Sequence, residues 1–211
     1  MPLTRRASTP PHDRHQAILE TAARVICAKG FDGASIQEIA DACELTKAGL
    51  YHHIQSKENL LAEIMTFGMD QFEAEVLDQV RAIEDPVERL KACMERNIEL
   101  VTRGTCKEVT IILHEHATLR GPAGKRIDAR KKKYVRFLEN SFAEAVLAGA
   151  IRPVKPKVAA FSFLGMVLWI YKWWRPEGAL GGDQIAEDMI DLLFTGLVPR
   201  EGAPQKRSVE R

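Results

Sequence analysis

The stretch Ser35 to Leu61, SIQEIADACELTKAGLYHHIQSKENLL, decides the fold of this chain. Ser35 is followed three positions later by a glutamate, which is the pattern of a capping box, and Thr46 and Ser56 are two further N-cap residues. These caps predict a short helix, a three-residue turn, a second short helix and the start of a long one. Because helical spacing also runs from Asp13 up to this stretch, the sequence predicts a three-helix helix-turn-helix module.

The second short helix carries the side chains that a DNA-reading helix needs. In a helix-turn-helix module this helix enters the major groove, where Lys47, Tyr51 and His52 can donate hydrogen bonds to phosphates or base edges. Gly49 lets the backbone come close to the DNA, and Lys57 lies on the first turn of the next helix, where free amides attract phosphate. Many capped three-helix modules bind no DNA, so a helical adaptor is an open alternative at this point.

The composition excludes several classes of protein. With 211 residues, 45% of them hydrophobic and 28% charged, the chain fits one globular domain or one domain with a small module attached. Thirty basic residues against 29 acidic ones give a net charge of +1, which excludes a histone-like or ribosomal protein. The longest apolar stretch, residues 158–171, is too short for a membrane span, and no apolar run follows Arg5 and Arg6 as it would in a signal peptide. We therefore expect a cytoplasmic protein that does not enter a membrane.

Helical spacing continues through the rest of the chain without any β-alternation. It predicts helices at 57–83, 86–102, 105–117, 122–148, 156–174 and 182–197. The predicted fold class is therefore all-α, with about nine helices. The predicted parts are a flexible N-terminal arm (1–12), the helix-turn-helix domain (13–56), a larger ligand-binding and dimerisation bundle (57–198) and a disordered tail (199–211).

Residues Ile39 to Leu61, together with the connector Gly30 to Ser35, resemble the signature of the tetracycline-repressor (TetR) family. The resemblance implies a homodimeric transcription regulator, usually a repressor, that a small molecule releases from a palindromic operator in double-stranded DNA. It places seven residues at DNA-contact positions: Ser35, Thr46, Lys47, Gly49, Tyr51, His52 and Lys57. The chain departs from the family pattern where Glu44 replaces the usual turn glycine and where Ile54 replaces the usual phenylalanine. A non-glycine residue at position 44 would have to hold a strained turn or bend it differently.

The stretch 125–136, KRIDARKKKYVR, contains seven basic residues and one acidic residue. On a helix, Arg126, Arg130 and Lys133 would lie on one side, and Tyr134 and Phe137 would form a pair at i, i+3. Such a face is often only a solvated basic surface. The alternative is a clamp for a phosphorylated effector, because arginine and lysine neutralise phosphate oxygens well.

All three tryptophans lie within WIYKWWRPEG, residues 169–178. Trp169 and Trp173 share a helix face and can stack on a ring such as adenine, although dimer interfaces are also rich in aromatic residues. The segment resembles a TetR subgroup whose members respond to CoA thioesters from fatty-acid, aromatic-acid or steroid breakdown. The resemblance implies a CoA thioester as the effector. The main alternative is a lipophilic molecule such as a drug, bile acid or aromatic acid, sensed by a regulator of efflux or detoxification.

We expect the effector site inside the larger bundle, with apolar walls, aromatic rings and a basic clamp. The candidate lining residues are Phe72, Met94, Ile98, Ile111, His114, Arg130, Tyr134, Phe137, Met166, Trp169 and Trp173. His114 and His116 would point to different sides of a helix, so we predict no metal site, and we expect no cofactor. The motifs of serine hydrolases, P-loop enzymes and dinucleotide-dependent enzymes are missing, so no catalytic residues are predicted and an all-α enzyme is a distant alternative.

The predicted mechanism involves a second copy of the chain, operator DNA and the effector. Two copies would pair through 156–174 and 182–197, which sets the recognition helices about 34–36 Å apart, one turn of DNA. The effector would push the long helix 57–83 like a lever and lower the affinity for DNA, provided that it binds the two states with different affinities.

Overall fold

The computed structural model describes residues 11–103, 107–115 and 118–196, and every regular element in these ranges is helical. The elements are α1 (Pro11–Lys29), α2 (Ile36–Ala42), α3 (Lys47–Tyr51), α4 (Lys57–Phe72), a π-helical segment (Glu73–Leu77), α5 (Asp78–Val80), α6 (Pro86–Thr102), α7 (Lys107–His114), α8 (Gly121–Leu147), α9 (Pro156–Trp173) and α10 (Gly182–Phe194). The predicted all-α fold class is confirmed.

Four helices, α2, α3, α4 and α6, begin where the sequence provides N-caps. The Glu38 amide donates to Ser35 Oγ at 3.2 Å and the Ser35 amide donates to Glu38 Oε2 at 2.8 Å, which completes the capping box. Thr46, Ser56 and Asp85 cap α3, α4 and α6 with side-chain oxygens that accept backbone amides of the first turn. Each of these helices therefore starts at the predicted residue, because one local hydrogen bond determines the start.

The predicted rod at 57–83 is not one regular helix. Its α-helical part ends at Phe72, and the next turn, Glu73–Leu77, is π-helical before α5 follows. Val76 and Leu77 in this wider turn are both buried. Apolar spacing alone did not reveal this change, because Phe72, Val76 and Val80 also have the i, i+4 spacing of an α-helix.

Three other boundaries differ from the prediction, and the first is the end of α10, which lies at Phe194 and not at residue 197. α1 begins at Pro11 rather than at Asp13, because proline has no amide hydrogen to lose in the first helical turn and its φ suits a helix. α7 ends at His114 and not at residue 117. The predicted tail and most of the predicted arm, including Arg5 and Arg6, lie outside the described residues.

The turn between α2 and α3 contains a backbone conformation that favours glycine. Glu44 has a φ of 55°, and within the described ranges it is the one non-glycine residue with a positive φ. Of the two expected alternatives, the turn therefore keeps the left-handed conformation that a glycine would adopt and is not bent differently.

Two substitutions at this turn test the strain. Glu44→Val will lower the free energy of unfolding by about 1–2 kcal/mol, because a β-branched side chain fits the left-handed region poorly. Glu44→Gly will not lower it, and since both variants remove the same carboxylate, charge cannot explain a difference between them. Denaturant unfolding of the two variants checks this expectation. Equal stabilities would show that the turn is not strained.

α7 lies between the helix-turn-helix domain and the bundle, in contact with α1 on one side and α4 on the other. Gly68 of α4 makes the close crossing possible. A Cβ atom at this position would lie 2.8 Å from Glu108 Cβ and 2.9 Å from Ile112 Cδ1. The bundle continues with α8 against α6 and α9, and with α10 against α6. In the described part of the chain, no helix combines the length and the apolar character that crossing a membrane requires.

Candidate functional site

The recognition helix α3 has a polar outer side and an apolar inner side. Lys47, Tyr51 and His52 are exposed. Leu50 and Ile54, on the inner side, are buried in the core that α1, α2 and α4 share. Three of the predicted DNA-contact residues are therefore accessible to a partner on the protein surface.

The other four predicted DNA-contact residues are Gly49 within α3 and three residues at the starts of α2, α3 and α4. Ser35 and Thr46 are exposed at the N-caps of α2 and α3, and Gly49 is half-buried, close to Thr46 Oγ1. Lys57 is half-buried on the first turn of α4, and its Nζ lies 4.4 Å from the centroid of the Phe31 ring. This cation–π contact ties Lys57 to the connector between α1 and α2.

Glu115, which the sequence analysis did not select, joins the bundle to the same connector. Its Oε1 accepts a hydrogen bond from the Phe31 amide at 2.8 Å, although the two residues are 84 positions apart. Glu115 follows α7 directly, so the end of α7 is fixed to the helix-turn-helix domain. No local pattern marks this contact, because a glutamate after a helix is common in any sequence.

The basic stretch of α8 is not simply a solvated face. Lys131 Nζ donates to the carbonyl of Ile112 in the last turn of α7 at 2.7 Å, and burial lowers the pKa of this lysine. A cation at the C-terminal end of a helix also interacts favourably with the helix dipole. Lys131 therefore connects α8 to the same end of α7 that contacts the connector.

Arg130, the predicted phosphate clamp, is occupied by two carboxylates of the α4 rod, which comprises α4, the π-helical segment and α5. Its Nη2 lies 2.7 Å from Asp70 Oδ1 and its Nε lies 3.0 Å from Glu73 Oε1. Burial by itself lowers the pKa of Arg130, but the hydrogen bonds to Glu73 and Asp70 outweigh burial and raise it. The hydrogen bond from Arg130 lowers the pKa of Glu73. An anionic effector at Arg130 would have to displace these carboxylates.

Several predicted lining residues meet in the core of the bundle. Phe72, Met94, Ile98 and Tyr134 are buried, and the Phe72 and Tyr134 rings are 4.7 Å apart in an edge-to-face arrangement. Phe137 and Met166 are partly buried against the same core. The side chain of Ile111 lies outside the described residues.

Three of the predicted lining residues lie away from that core. His114 is exposed, with its ring 4.7 Å from the ring of Tyr171, and desolvation lowers its pKa. Trp169 and Trp173 are 61% and 43% exposed, so neither is part of the buried core. His116 lies outside the described residues, and within them no group of three potential metal ligands occurs.

An apolar stripe is exposed on α9. Val158, Phe161, Trp169 and Trp173 lie within about 120° of the helix circumference and are all exposed, and Leu192 on α10 is exposed as well. An exposed apolar face of this kind is typical of an interaction site. The stripe and Leu192 lie on the two helices that were predicted to pair with a second copy.

Comparison with known proteins identifies both parts of the chain. Residues 18–64 match the family of bacterial regulatory proteins of the tetR family, and residues 83–197 match the tetracyclin repressor-like C-terminal domain. The structure of AibR in complex with isovaleryl coenzyme A and operator DNA is similar to this one, with a TM-score of 0.83. The two sequences are 65% identical, and the match covers 86% of this chain and 98% of the AibR chain. The ketosteroid transcriptional regulator KstR2 of Mycobacterium tuberculosis shares the fold, with 23% sequence identity and a TM-score of 0.81. That match covers 93% of this chain and 100% of the KstR2 chain.

A curated relative agrees with these matches. The HTH-type transcriptional repressor KstR2 of Mycolicibacterium smegmatis is 20% identical over 196 residues, which span 91% of this chain and 94% of that protein. The family and its members are dimeric, DNA-binding transcription regulators and not enzymes, so the expected partners, double-stranded DNA and a second copy, follow. Since the C-terminal match alone spans more than half of the chain, this protein belongs to the TetR family of ligand-responsive transcription regulators.

Proposed function

We propose that the protein is a homodimeric repressor that binds a palindromic operator and is released from it by a CoA thioester. The observation that carries this proposal is the 65% identity, across 86% of this chain, to AibR, which was solved with isovaleryl coenzyme A and operator DNA. A short branched acyl-CoA is therefore the first candidate effector. The thioester acts as a signal and not as a cofactor, and a regulator of this kind would act in the cytoplasm.

The proposed DNA surface consists of the seven exposed or half-exposed residues around α3. Lys47, Tyr51 and His52 would face the major groove, and Lys57 would contact phosphate from the first turn of α4. The net charge of the chain is only +1, so non-specific attraction to DNA is weak and specific contacts have to contribute most of the affinity.

The proposed effector site lies between α4, α6 and α8. The acyl group would occupy the apolar region around Phe72, Met94 and Ile98. A phosphate of CoA would compete with Asp70 and Glu73 for Arg130 and thereby loosen the tie between α8 and the α4 rod. We propose that Trp169 and Trp173 contribute to the dimer interface, because their exposed positions lie on the apolar stripe.

The effector class is tested by operator release. Fluorescence anisotropy with a palindromic fragment from the intergenic region next to the gene measures DNA binding while isovaleryl-CoA, free CoA or isovaleric acid is added. We expect release by isovaleryl-CoA at concentrations at which the other two have no effect. Release only by lipophilic drug-like molecules would instead support a regulator of efflux or detoxification, and no sequence-specific binding at moderate salt would contradict the repressor itself.

The DNA surface is tested by one lysine substitution with a matched control. Lys47→Ala will weaken operator binding about fivefold, because it removes one positive charge from the proposed DNA surface. For the same reason, the slope of log affinity against log salt concentration will become shallower by about one. Lys132→Ala, which removes an exposed lysine on α8, will leave operator binding unchanged. Anisotropy at several salt concentrations measures both effects, and light scattering verifies that the dimer is intact. Equal affinities of the two variants would remove Lys47 from the DNA surface.

A further inference from the structure

A small polar cluster lies inside the apolar core, between α6 and α8. Asn97 Nδ2 donates to the Tyr134 hydroxyl at 3.0 Å and to the Cys93 carbonyl at 2.6 Å, and Cys93 Sγ lies 3.6 Å from the Tyr134 oxygen. Each of the three residues is more than nine-tenths buried. The cluster borders the predicted acyl site, because the Tyr134 ring contacts Phe72.

Tyr134 can donate a hydrogen bond to a better acceptor than its present neighbour. The amide of Asn97 already donates to its oxygen, and whichever atom donates in the contact with Cys93, that bond is weak because one partner is sulfur. A carbonyl oxygen accepts a hydroxyl proton much more strongly than a thiol does. Asn97 also bonds to the backbone of α6, so it holds the hydroxyl of Tyr134 in one position.

The cluster is electrically neutral. Burial raises the pKa of the Cys93 thiol to about 12 and raises the pKa of Tyr134 well above its usual value, so both groups keep their protons at physiological pH. A neutral donor suits an uncharged carbonyl. It cannot compensate the charge of a buried carboxylate, which is costly without a cation.

The arginines one turn before Cys93 and one turn before Tyr134 do not supply a free cation. Arg89 lies one turn before Cys93 on α6 and is paired with Glu144. Arg130 lies one turn before Tyr134 on α8 and is paired with Asp70 and Glu73. A free acid entering this region would therefore meet arginines that carboxylates already neutralise.

We infer that the Tyr134 hydroxyl, positioned by Asn97, recognises the thioester carbonyl of the effector, so that the site selects a neutral thioester over the free acid. This inference rests on the CoA thioester proposed above. The acyl chain then lies beside Met94 and Ile98, next in sequence to Cys93 and Asn97. The flexible Met94 side chain can repack to admit a short branched chain.

The test compares two ligands that differ only in the carbonyl. Isovaleryl-CoA and its thioether analogue S-(3-methylbutyl)-CoA are titrated into the wild type and Tyr134→Phe by calorimetry. We expect the wild type to prefer the thioester about tenfold and Tyr134→Phe to prefer it less than about twofold, because phenylalanine keeps the ring and removes only the donor. Tyr171→Phe, the same substitution on α9, will keep the full preference.

The outcomes distinguish this inference from the proposed function. Full preference for the thioester in Tyr134→Phe, or no preference in the wild type, would overturn the role of Tyr134 while leaving CoA thioesters as effectors. Failure of the wild type to bind any CoA compound would overturn the effector class, and the carbonyl recognition with it. A merely structural role of Tyr134 would lower the affinities for both ligands equally and leave their ratio at the wild-type value.

Discussion

Replacing Gly68 by valine will lower the free energy of unfolding by about 3 kcal/mol and the thermal midpoint by about 6–12 °C. At this crossing a Cβ atom would lie 2.8 Å from Glu108 Cβ and 3.2 Å from the Glu108 backbone carbon. Because a backbone atom is involved, a change of side-chain rotamer cannot relieve the clash, and α7 has to move away from α4. Valine has a higher helix propensity than glycine, but this small gain does not offset the clash.

A valine on the exposed side of the same helix provides the control. Thr66→Val, two positions before Gly68, introduces the same side chain where it meets solvent, and we expect a change of less than about 0.5 kcal/mol. Thermal and denaturant unfolding at one fixed protein concentration measure both variants, since the stability of a dimer depends on concentration. If Gly68→Val were as stable as Thr66→Val, α4 and α7 would not cross as closely as described.

Glu115→Ala will weaken the coupling between effector binding and operator binding. The substitution removes the acceptor of the Phe31 amide, and with it the hydrogen bond that fixes the end of α7 to the connector. Affinity for the effector and affinity for the operator, each measured alone, will remain within about threefold of the wild type. The factor by which saturating effector weakens operator binding will fall about tenfold, because that factor measures the coupling between the two sites.

The isosteric variant controls for the charge of Glu115. Glu115→Gln keeps a carbonyl oxygen that can accept from the Phe31 amide, so it will retain most of the coupling although it carries no charge. Operator titrations with and without effector give the coupling factor for the wild type and both variants. A full coupling factor in Glu115→Ala would show that the two domains communicate through other contacts, such as those between α1 and α4.

The starts of the capped helices, among them the recognition helix, were predictable because local rules determine them. The capping box at Ser35 and the caps at Thr46 and Asp85 form within one helical turn, so the sequence contains all the atoms involved. The positive φ of Glu44 was one of the two outcomes expected where the turn lacks its usual glycine. The exposure of Lys47 agrees with its polar side chain and its position at the first residue of α3.

The contacts between helices were not predictable from the sequence. Arg130 was selected as a cation, but its pairing with Asp70 and Glu73 depends on how α8 lies against the α4 rod. Glu115 contacts Phe31 across 84 positions of the chain, and no spacing pattern extends that far. From the sequence, Trp169 and Trp173 could line the effector pocket or the dimer interface. Their exposure on α9 favours the interface.

The π-helical turn at Glu73–Leu77 gives the α4 rod one more residue than a regular helix of the same length would hold. Because the extra residue is absorbed by the wider turn, deleting one residue there would restore the α-helix and leave the helical segments on either side in nearly their present orientation. The helix-turn-helix domain of each subunit would still face its half-site. The same deletion within the regular part of α4 would rotate that domain by about 100° around the helix axis, since each residue of an α-helix turns by that angle. The π-helical turn is therefore the point of the rod at which the loss of one residue would disturb operator binding least.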